Sequence, residues 1–166
     1  MEDITLQKAA PNEIDIVFSL LKEAALWLKR KNIDYWQNWI NPQRIYVDWV
    51  KQGFKNHEFY FACIDNSIIG CFRLQWNDEM FWGKKEDQAG YIHSLTTSRK
   101  NAGADLGKRL IDTIEIYCRK NSKVFLRLDC GKHVKGLRKF YESIGFQDVG
   151  ETIVHGEHCV LYEKAI

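Results

Sequence analysis

The sequence predicts an α/β domain built on a mixed sheet, and three observations carry that prediction. Segments of strand and helical period follow one another as strand, two helices, three strands, helix, strand, helix and two strands. Residues 90–130 read as strand, helix, strand, one crossover unit, so those two strands are expected to lie parallel with a right-handed connection. The 166 residues are 45% hydrophobic and hold no repeat, low-complexity run or linker, which fits one domain over 1–166 with a substantial core.

Each element has its own reason. Residues 4–10 alternate weakly and suit a first strand, broken by Pro11 and Asn12. Asn12 is placed as a helix N-cap, with the acidic Glu13 and Asp15 behind it. Ile14, Val17, Leu20, Leu21, Ala24, Ala25 and Leu28 recur at helical spacing. Lys29, Arg30 and Lys31 gather at that helix's C-terminal end, where positive charge is favoured. Residues 33–40 combine Asp34, Tyr35, Trp36 and Trp39 without a clean period, and read as a loop whose rings cap the core or wall a pocket. Asn41-Pro42 opens a second helix to about residue 53, with Pro in its first turn. Residues 58–64 and 68–76 form a hairpin around Asp65-Asn66-Ser67, and 77–88 are a charged loop carrying Met80, Phe81 and Trp82. Residues 91–97 are aromatic and β-branched, as a pleated surface prefers. Leu106, Leu110, Ile114 and Tyr117 then mark one face of a helix beginning near Ala104. Residues 124–130 form a strand and 134–144 a helix ended by Gly145 as a left-handed cap. Residues 146–154 and 158–162 close the chain as two strands around His155-Gly156-Glu157.

Composition narrows the function. A net charge of +2 is too small for a general nucleic-acid binder. The five cysteines, at 63, 71, 118, 130 and 159, include no CxxC pair, so neither a zinc site nor a disulfide framework is indicated and a reducing cytoplasm fits. Met1 is followed at once by Glu2 and Asp3, which is wrong for a secretory signal. No apolar run approaches the ~20 residues that span a bilayer, so no membrane partner is expected. His155 and His158 have too few companions for a metal site. Six Trp and 13% aromatic residues are enough to line a pocket as well as fill a core.

Between the strand at 91–97 and the next helix lies Arg99-Lys100-Asn101-Ala102-Gly103-Ala104, small, flexible and basic. Amides at a helix start lack helical partners and carry partial positive charge, so this turn reads as a pyrophosphate site. The element order and two motifs resemble the GNAT superfamily of acyl-CoA-dependent N-acyltransferases. The likeness covers almost the whole chain and is most specific over 90–151. The family's pyrophosphate loop has Arg or Gln, two residues, Gly, one residue, then Gly or Ala. The matching positions here are Ala102, Asp105 and Gly107, so only the last glycine is kept, with Gly103 supplying the glycine usual one step after the Arg or Gln. Asp105 puts a carboxylate beside the phosphate position, with Arg99, Lys100 and Lys108 available to offset it. The second motif, from Leu137 to Phe146, is similar to the family's helix carrying a Tyr followed by Gly-Phe; its common leading Asn is Val134 here. Leu126-Arg127-Leu128-Asp129-Cys130 resembles a strand of bacterial members.

The resemblance implies a mostly antiparallel sheet whose central parallel pair splays into a V, and acetyl-CoA as co-substrate. Leu95, Thr96, Thr97, Ala102, Gly103, Ala104, Asp105, Leu106, Gly107 and Lys108 are the implied cofactor-binding positions. The Leu95 amide would polarise the acetyl carbonyl. Tyr141, a phenol with a pKa of ~10, would protonate the departing thiolate. The general base stays open among His93, Asp34, Asp78, Glu79, Glu151 and a water chain. Direct transfer is the family's usual route, which leaves Cys130 little role as a nucleophile. Asp34, Trp36, Trp39 and Trp76, with Asp78 and Trp82, suggest an aromatic-rimmed mouth that attracts a cationic amine. The expected activity is N-acetylation of a small-molecule amine: a polyamine, an amino sugar or an amino acid. The alternatives are a protein or peptide acceptor and a non-catalytic CoA-binding regulatory domain. A homodimer stays open, since a final strand such as 159–163 is able to pair across subunits.

Overall fold

The computed structural model describes residues 3–101 and 105–166. Seven strands, β1 (Thr5–Lys8), β2 (Phe59–Ile64), β3 (Ser67–Gln75), β4 (Ala89–Thr97), β5 (Phe125–Gly131), β6 (Gln147–Val154) and β7 (Glu157–Ala165), form one sheet in the order β1-β2-β3-β4-β5-β7-β6. The helices are α1 (Ile14–Arg30), α2 (Arg44–Lys55), α3 (Glu79–Trp82), α4 (Leu106–Lys120) and α5 (Lys135–Ser143). β4 and β5 pair in parallel, as the crossover reading requires, whereas β1–β2, β2–β3, β5–β7 and β6–β7 are antiparallel.

The chain divides into two compact units, Met1–Arg73 with Ser94–Thr113, and Leu74–His93 with Ile114–Ile166. In the first unit, Val17, Leu20, Leu21, Ala24 and Ala25 are the buried stripe of α1. With Val50 and Phe54 of α2 and Phe59, Phe61 and Cys63 of β2, most of that stripe forms one apolar cluster. The second unit buries Trp82, Ala89 and Tyr91, with Phe125 and Leu161 against them. At its centre Arg127 donates to Asp87, Glu163 and the Tyr91 hydroxyl, so a buried cation is fully paired.

Three local expectations change. Asn12 does not cap α1: residues Pro11–Glu13 form a 3-10 turn, and the Glu13 carboxylate takes the Ala10 amide at 2.7 Å. Pro42 lies outside the first turn of α2, because the helix begins at Arg44 after Gln43. The 77–88 loop contains α3, a single turn capped by Asp78. The two hairpins turn on residue pairs at positive φ, Asp65-Asn66 (47° and 64°) and His155-Gly156 (51° and 80°), whose twist matches the flanking strands. α5 ends at a left-handed Gly145, with Phe146 N–H reaching Tyr141 O at 3.1 Å and Gly145 N–H reaching Glu142 O at 3.2 Å.

A Cβ on Gly53 would meet Phe59 Cε2 at 2.5 Å and Arg73 Nε at 2.9 Å, whereas one on Gly136 meets nothing within 4 Å. Gly53→Ala is therefore expected to destabilise the fold by about 1–3 kcal/mol. Gly136→Ala should stabilise it by less than about 1 kcal/mol. Urea unfolding of both variants checks the pair.

Candidate active site

The parallel ladder between β4 and β5 runs only from Ala89↔Phe125 to Ile92↔Leu128. β4 continues to Thr97, and at Ser94 its backbone takes φ 51°, a conformation rare for a non-glycine residue inside a strand. A left-handed residue breaks the alternation of side chains and redirects the strand, as bulges beside functional sites do. His93 stands just before this break and Asp129 just after the end of the ladder on β5.

Those two side chains and Asp78 form a buried chain. Asp78 Oδ2 lies 2.8 Å from His93 Nε2, and Asp129 Oδ1 lies 3.3 Å from His93 Nδ1. Asp78 is held in place by its capping duty, since its Oδ1 accepts the Phe81 amide at 3.3 Å, and the Phe81 ring covers His93 at 4.8 Å. The side chains of Asp78, His93 and Asp129 are only 5%, 8% and 11% exposed. A neutral imidazole donates from one nitrogen only, so two flanking carboxylates favour the imidazolium. Burial opposes that charge, but the hydrogen bonds and negative charges of Asp129 and Asp78 outweigh it and raise the His93 pKa to about 9.

Tyr141 sits on α5 with the rings of Phe146 at 5.8 Å and Tyr162 at 5.9 Å. Burial, with Cys130 and Asp129 nearby, pushes its pKa well above the ordinary phenol value. No side-chain hydrogen bond among the described residues engages its hydroxyl. Its neighbours differ: the Tyr162 hydroxyl donates to Glu142 and accepts from Arg138, and the Tyr91 hydroxyl accepts from Arg127. Burial and the charge of Asp129 raise the Cys130 thiol to about 12, and the Cys159 thiol likewise. Neither supplies a thiolate near neutral pH, which removes the chemical basis for a Cys130 nucleophile.

The expected cofactor-binding positions lie in the other unit. Leu95 and Thr97 are half-buried; Thr96 is buried, and its Oγ1 has no partner among the described residues. Ala102, Gly103 and Ala104 fall outside the described residues. Asp105, at the motif's first glycine position, takes φ 70°, the left-handed conformation a glycine would supply, and its carbonyl accepts the Arg109 amide at 2.9 Å. That bond closes the first turn of α4 on Asp105, directly ahead of Leu106. Lys108 Nζ pairs with Asp112 at 2.6 Å. Arg99 lies over the Trp27 ring at 4.5 Å, its amide bonds Glu23 at 2.9 Å, and its Nε has no partner among the described residues. An orphaned guanidinium nitrogen, an orphaned hydroxyl and a glycine-like helix cap suit a diphosphate and its pantetheine arm.

The expected substrate residues are divided between the two units, Asp34, Trp36 and Trp39 in the first and Trp76 in the second. Trp39 is buried in the first unit's apolar cluster, edge-on to Tyr46 at 5.4 Å, and Trp36 packs against the same cluster. Asp34 is exposed nearby in sequence. Trp76, 40% exposed, belongs to the second unit; it stacks on Tyr117, and Lys123 Nζ lies 4.8 Å from its ring centre. Of the candidate bases, Glu151 is paired with Lys132 at 2.8 Å and Glu79 is exposed. Asp129 is not among the sequence candidates; the available signal was an acid inside the largely apolar run of β5. Among the described residues no group of His, Cys, Asp and Glu is arranged to hold a metal ion, and no helix is long and apolar enough to cross a membrane.

The His93 shift has a thermodynamic consequence. Its folded pKa lies above the unfolded value of 6.5, so its stabilising contribution is complete below pH 6.5 and is lost as pH rises through about 9. Unfolding free energy is expected to fall across that window by on the order of 3 kcal/mol, and His93→Asn to flatten the fall. Urea titrations at a series of pH values measure both slopes.

Three comparisons bear on identity. Residues 25–146 match the model of the Acetyltransferase (GNAT) family. The uncharacterized N-acetyltransferase YesJ of Bacillus subtilis (strain 168) is 29% identical over 164 residues, covering 95% of this chain and 88% of that protein. A GNAT-family acetyltransferase from Listeria monocytogenes 4b F2365 superposes with a TM-score of 0.79 at 25% identity, over 98% of this chain and 95% of that one. AAC(6')-Ib in complex with ribostamycin and coenzyme A gives 0.74 at 15% identity, over 99% and 94%. The chain belongs to the GNAT acetyltransferase family and is an acetyl-CoA-dependent N-acyltransferase.

Proposed function

We propose that this protein transfers the acetyl group of acetyl-CoA directly to the amine of a small molecule. The observation that carries the reading is the Tyr141 phenol: buried, protonated, without a side-chain hydrogen bond among the described residues and within the influence of Asp129. Such a group is a proton donor in waiting and cannot act as the base. With Cys130 and Cys159 held as thiols, neither offers a thiolate for a covalent acyl-enzyme, which supports direct attack of the acceptor nitrogen on the thioester.

Acetyl-CoA supplies the activated acyl group when bound. The half-buried backbone of Leu95, beyond the break at Ser94, is assigned to the acetyl carbonyl, where an N–H would stabilise developing negative charge. Thr96, Thr97 and residues 102–108 are assigned to the pantetheine and diphosphate. Tyr141 donates to the leaving sulfur. His93 carries a positive charge between two carboxylates, and the cluster keeps one net negative charge beside the phenol. A cationic small amine suits that surplus, and the likeness to AAC(6')-Ib, whose complex holds ribostamycin, is compatible with a small-molecule acceptor.

Tyr141→Phe should lower kcat by about 100-fold or more while leaving the acetyl-CoA Kd unchanged. Thiol release with polyamine, amino-sugar and amino-acid acceptors measures the first, calorimetry the second. Thiol release with a peptide amine and with none of the small amines would overturn the acceptor class. Asp105→Gly keeps the left-handed turn and removes a carboxylate from the phosphate end, so acetyl-CoA should bind several-fold more tightly by calorimetry.

A further inference from the structure

The Asp78–His93–Asp129 chain is unequal at its two ends. Asp78 has two nitrogen donors, the Phe81 amide at 3.3 Å on Oδ1 and His93 Nε2 at 2.8 Å on Oδ2, and its side chain is 5% exposed. Asp129 has one, His93 Nδ1 at the longer 3.3 Å, and its side chain is 11% exposed. Its other partner is the Cys159 thiol, a weak donor whose sulfur also lies 3.8 Å from the Glu157 carbonyl oxygen. The remaining hydrogen-bond capacity and the surface of the cluster therefore both lie at Asp129.

Charge points the same way. Two carboxylates against one imidazolium leave one negative charge in a buried site, and such a charge is costly until a cation meets it. Arg127, two residues earlier on β5, does not serve, because it is committed to Asp87 and Glu163. The groups facing the cluster include Phe81 from the α3 turn, Cys130 from β5, Cys159 from β7 and Tyr141 from α5, with no Lys or Arg ion pair to Asp78 or Asp129 among the described residues.

We propose that Asp129 is the proton acceptor for the attacking amine, oriented by the His93 imidazolium, which Asp78 holds from its other nitrogen. This rests on the small-amine reading above. The Asp129 carboxylate binds the acceptor ammonium and takes one proton from its nitrogen. The freed lone pair forms the bond to the acetyl carbon as the bond from that carbon to sulfur breaks. The Tyr141 O–H gives its proton to the departing sulfur, and the second N–H proton replaces it on the Tyr141 oxygen. The proton on Asp129 leaves to water, so one ammonium and one thioester yield one amide, one thiol and one proton. Asp129 is thus a catalytic residue, whereas His93 and Asp78 are positioning residues that reach the reaction only through it.

The test uses the full chain as wild type, Asp129→Asn, His93→Gln and Asp78→Asn, with spermidine, glucosamine and lysine as probe amines. Asp129→Asn is expected to lower kcat at least about 100-fold with the acetyl-CoA Kd within about twofold of wild type, which also reports an intact fold. His93→Gln and Asp78→Asn are each expected to lose about 10-fold, and His93→Gln to move the acid limb of the kcat/KM profile to higher pH, since a carboxylate that loses a neighbouring positive charge is easier to protonate. Asp129→Asn within threefold of wild-type kcat overturns the proposal, as does an Asp78→Asn loss equal to that of Asp129→Asn with an unshifted profile in His93→Gln. Nitrogen-15 NMR of His93 in the wild type gives an arm that needs no acceptor. Both ring nitrogens protonated at pH 7.5 support the arrangement, and a neutral ring overturns it. A wild type that turns over none of the three amines, yet keeps a doubly protonated His93, counts against the small-amine reading instead.

Discussion

An imidazolium held between two buried carboxylates is the constraint on which the second unit's site depends. Without the charge on His93, the ring would donate from one nitrogen only, and one of the two carboxylates, Asp78 or Asp129, would face it without that hydrogen bond. With it, three side chains from a helix cap and two strands are locked in one geometry. Asp78 couples the arrangement to the backbone, since the carboxylate that caps α3 also anchors the ring.

The unit contains a second buried cation, and the contrast is instructive. Arg127 meets Asp87, Glu163 and the Tyr91 hydroxyl and lies over the rings of Trp82 and Phe125 at 5.1 and 5.2 Å. Its donors are spent on structure, and its environment is closed. The His93 cluster keeps a surplus acceptor, and among the described residues no side-chain hydrogen bond engages the Tyr141 phenol. Surplus capacity of this kind is costly to fold and is found where a ligand completes the set.

β4 serves both units by changing character midway. Up to Ile92 it is an ordinary buried strand in register with β5. At Ser94 the backbone turns left-handed, and the strand continues toward Thr97 and the turn that leads to α4. Gly70 of β3 is shaped to this segment, because a Cβ there would meet the Thr96 carbonyl at 2.4 Å. The residues bearing cofactor expectations thus follow directly, along one strand, on the residue that bears the charge.

Element order, the parallel crossover, the Gly145 cap and the hairpins were legible in the residues, because period, turn chemistry and the need of glycine for positive φ act over a few positions. Asp105 is a near case: the motif position is visible, but that an aspartate adopts the glycine conformation there is visible only in the backbone. Tyr141 could be singled out by its motif, yet its lack of a hydrogen bond could not. Trp36 and Trp39, conspicuous as a pocket rim in sequence, are packed in a core that α2 and β2 complete. Asp129 stayed hidden because its partners are distant in sequence: Asp78 and His93 lie 51 and 36 positions away, and Cys159 lies 30. Local chemistry determined what the elements are and where they end. Only the folded chain decided which charges face one another, since electrostatic pairing depends on distance through space and not along the backbone.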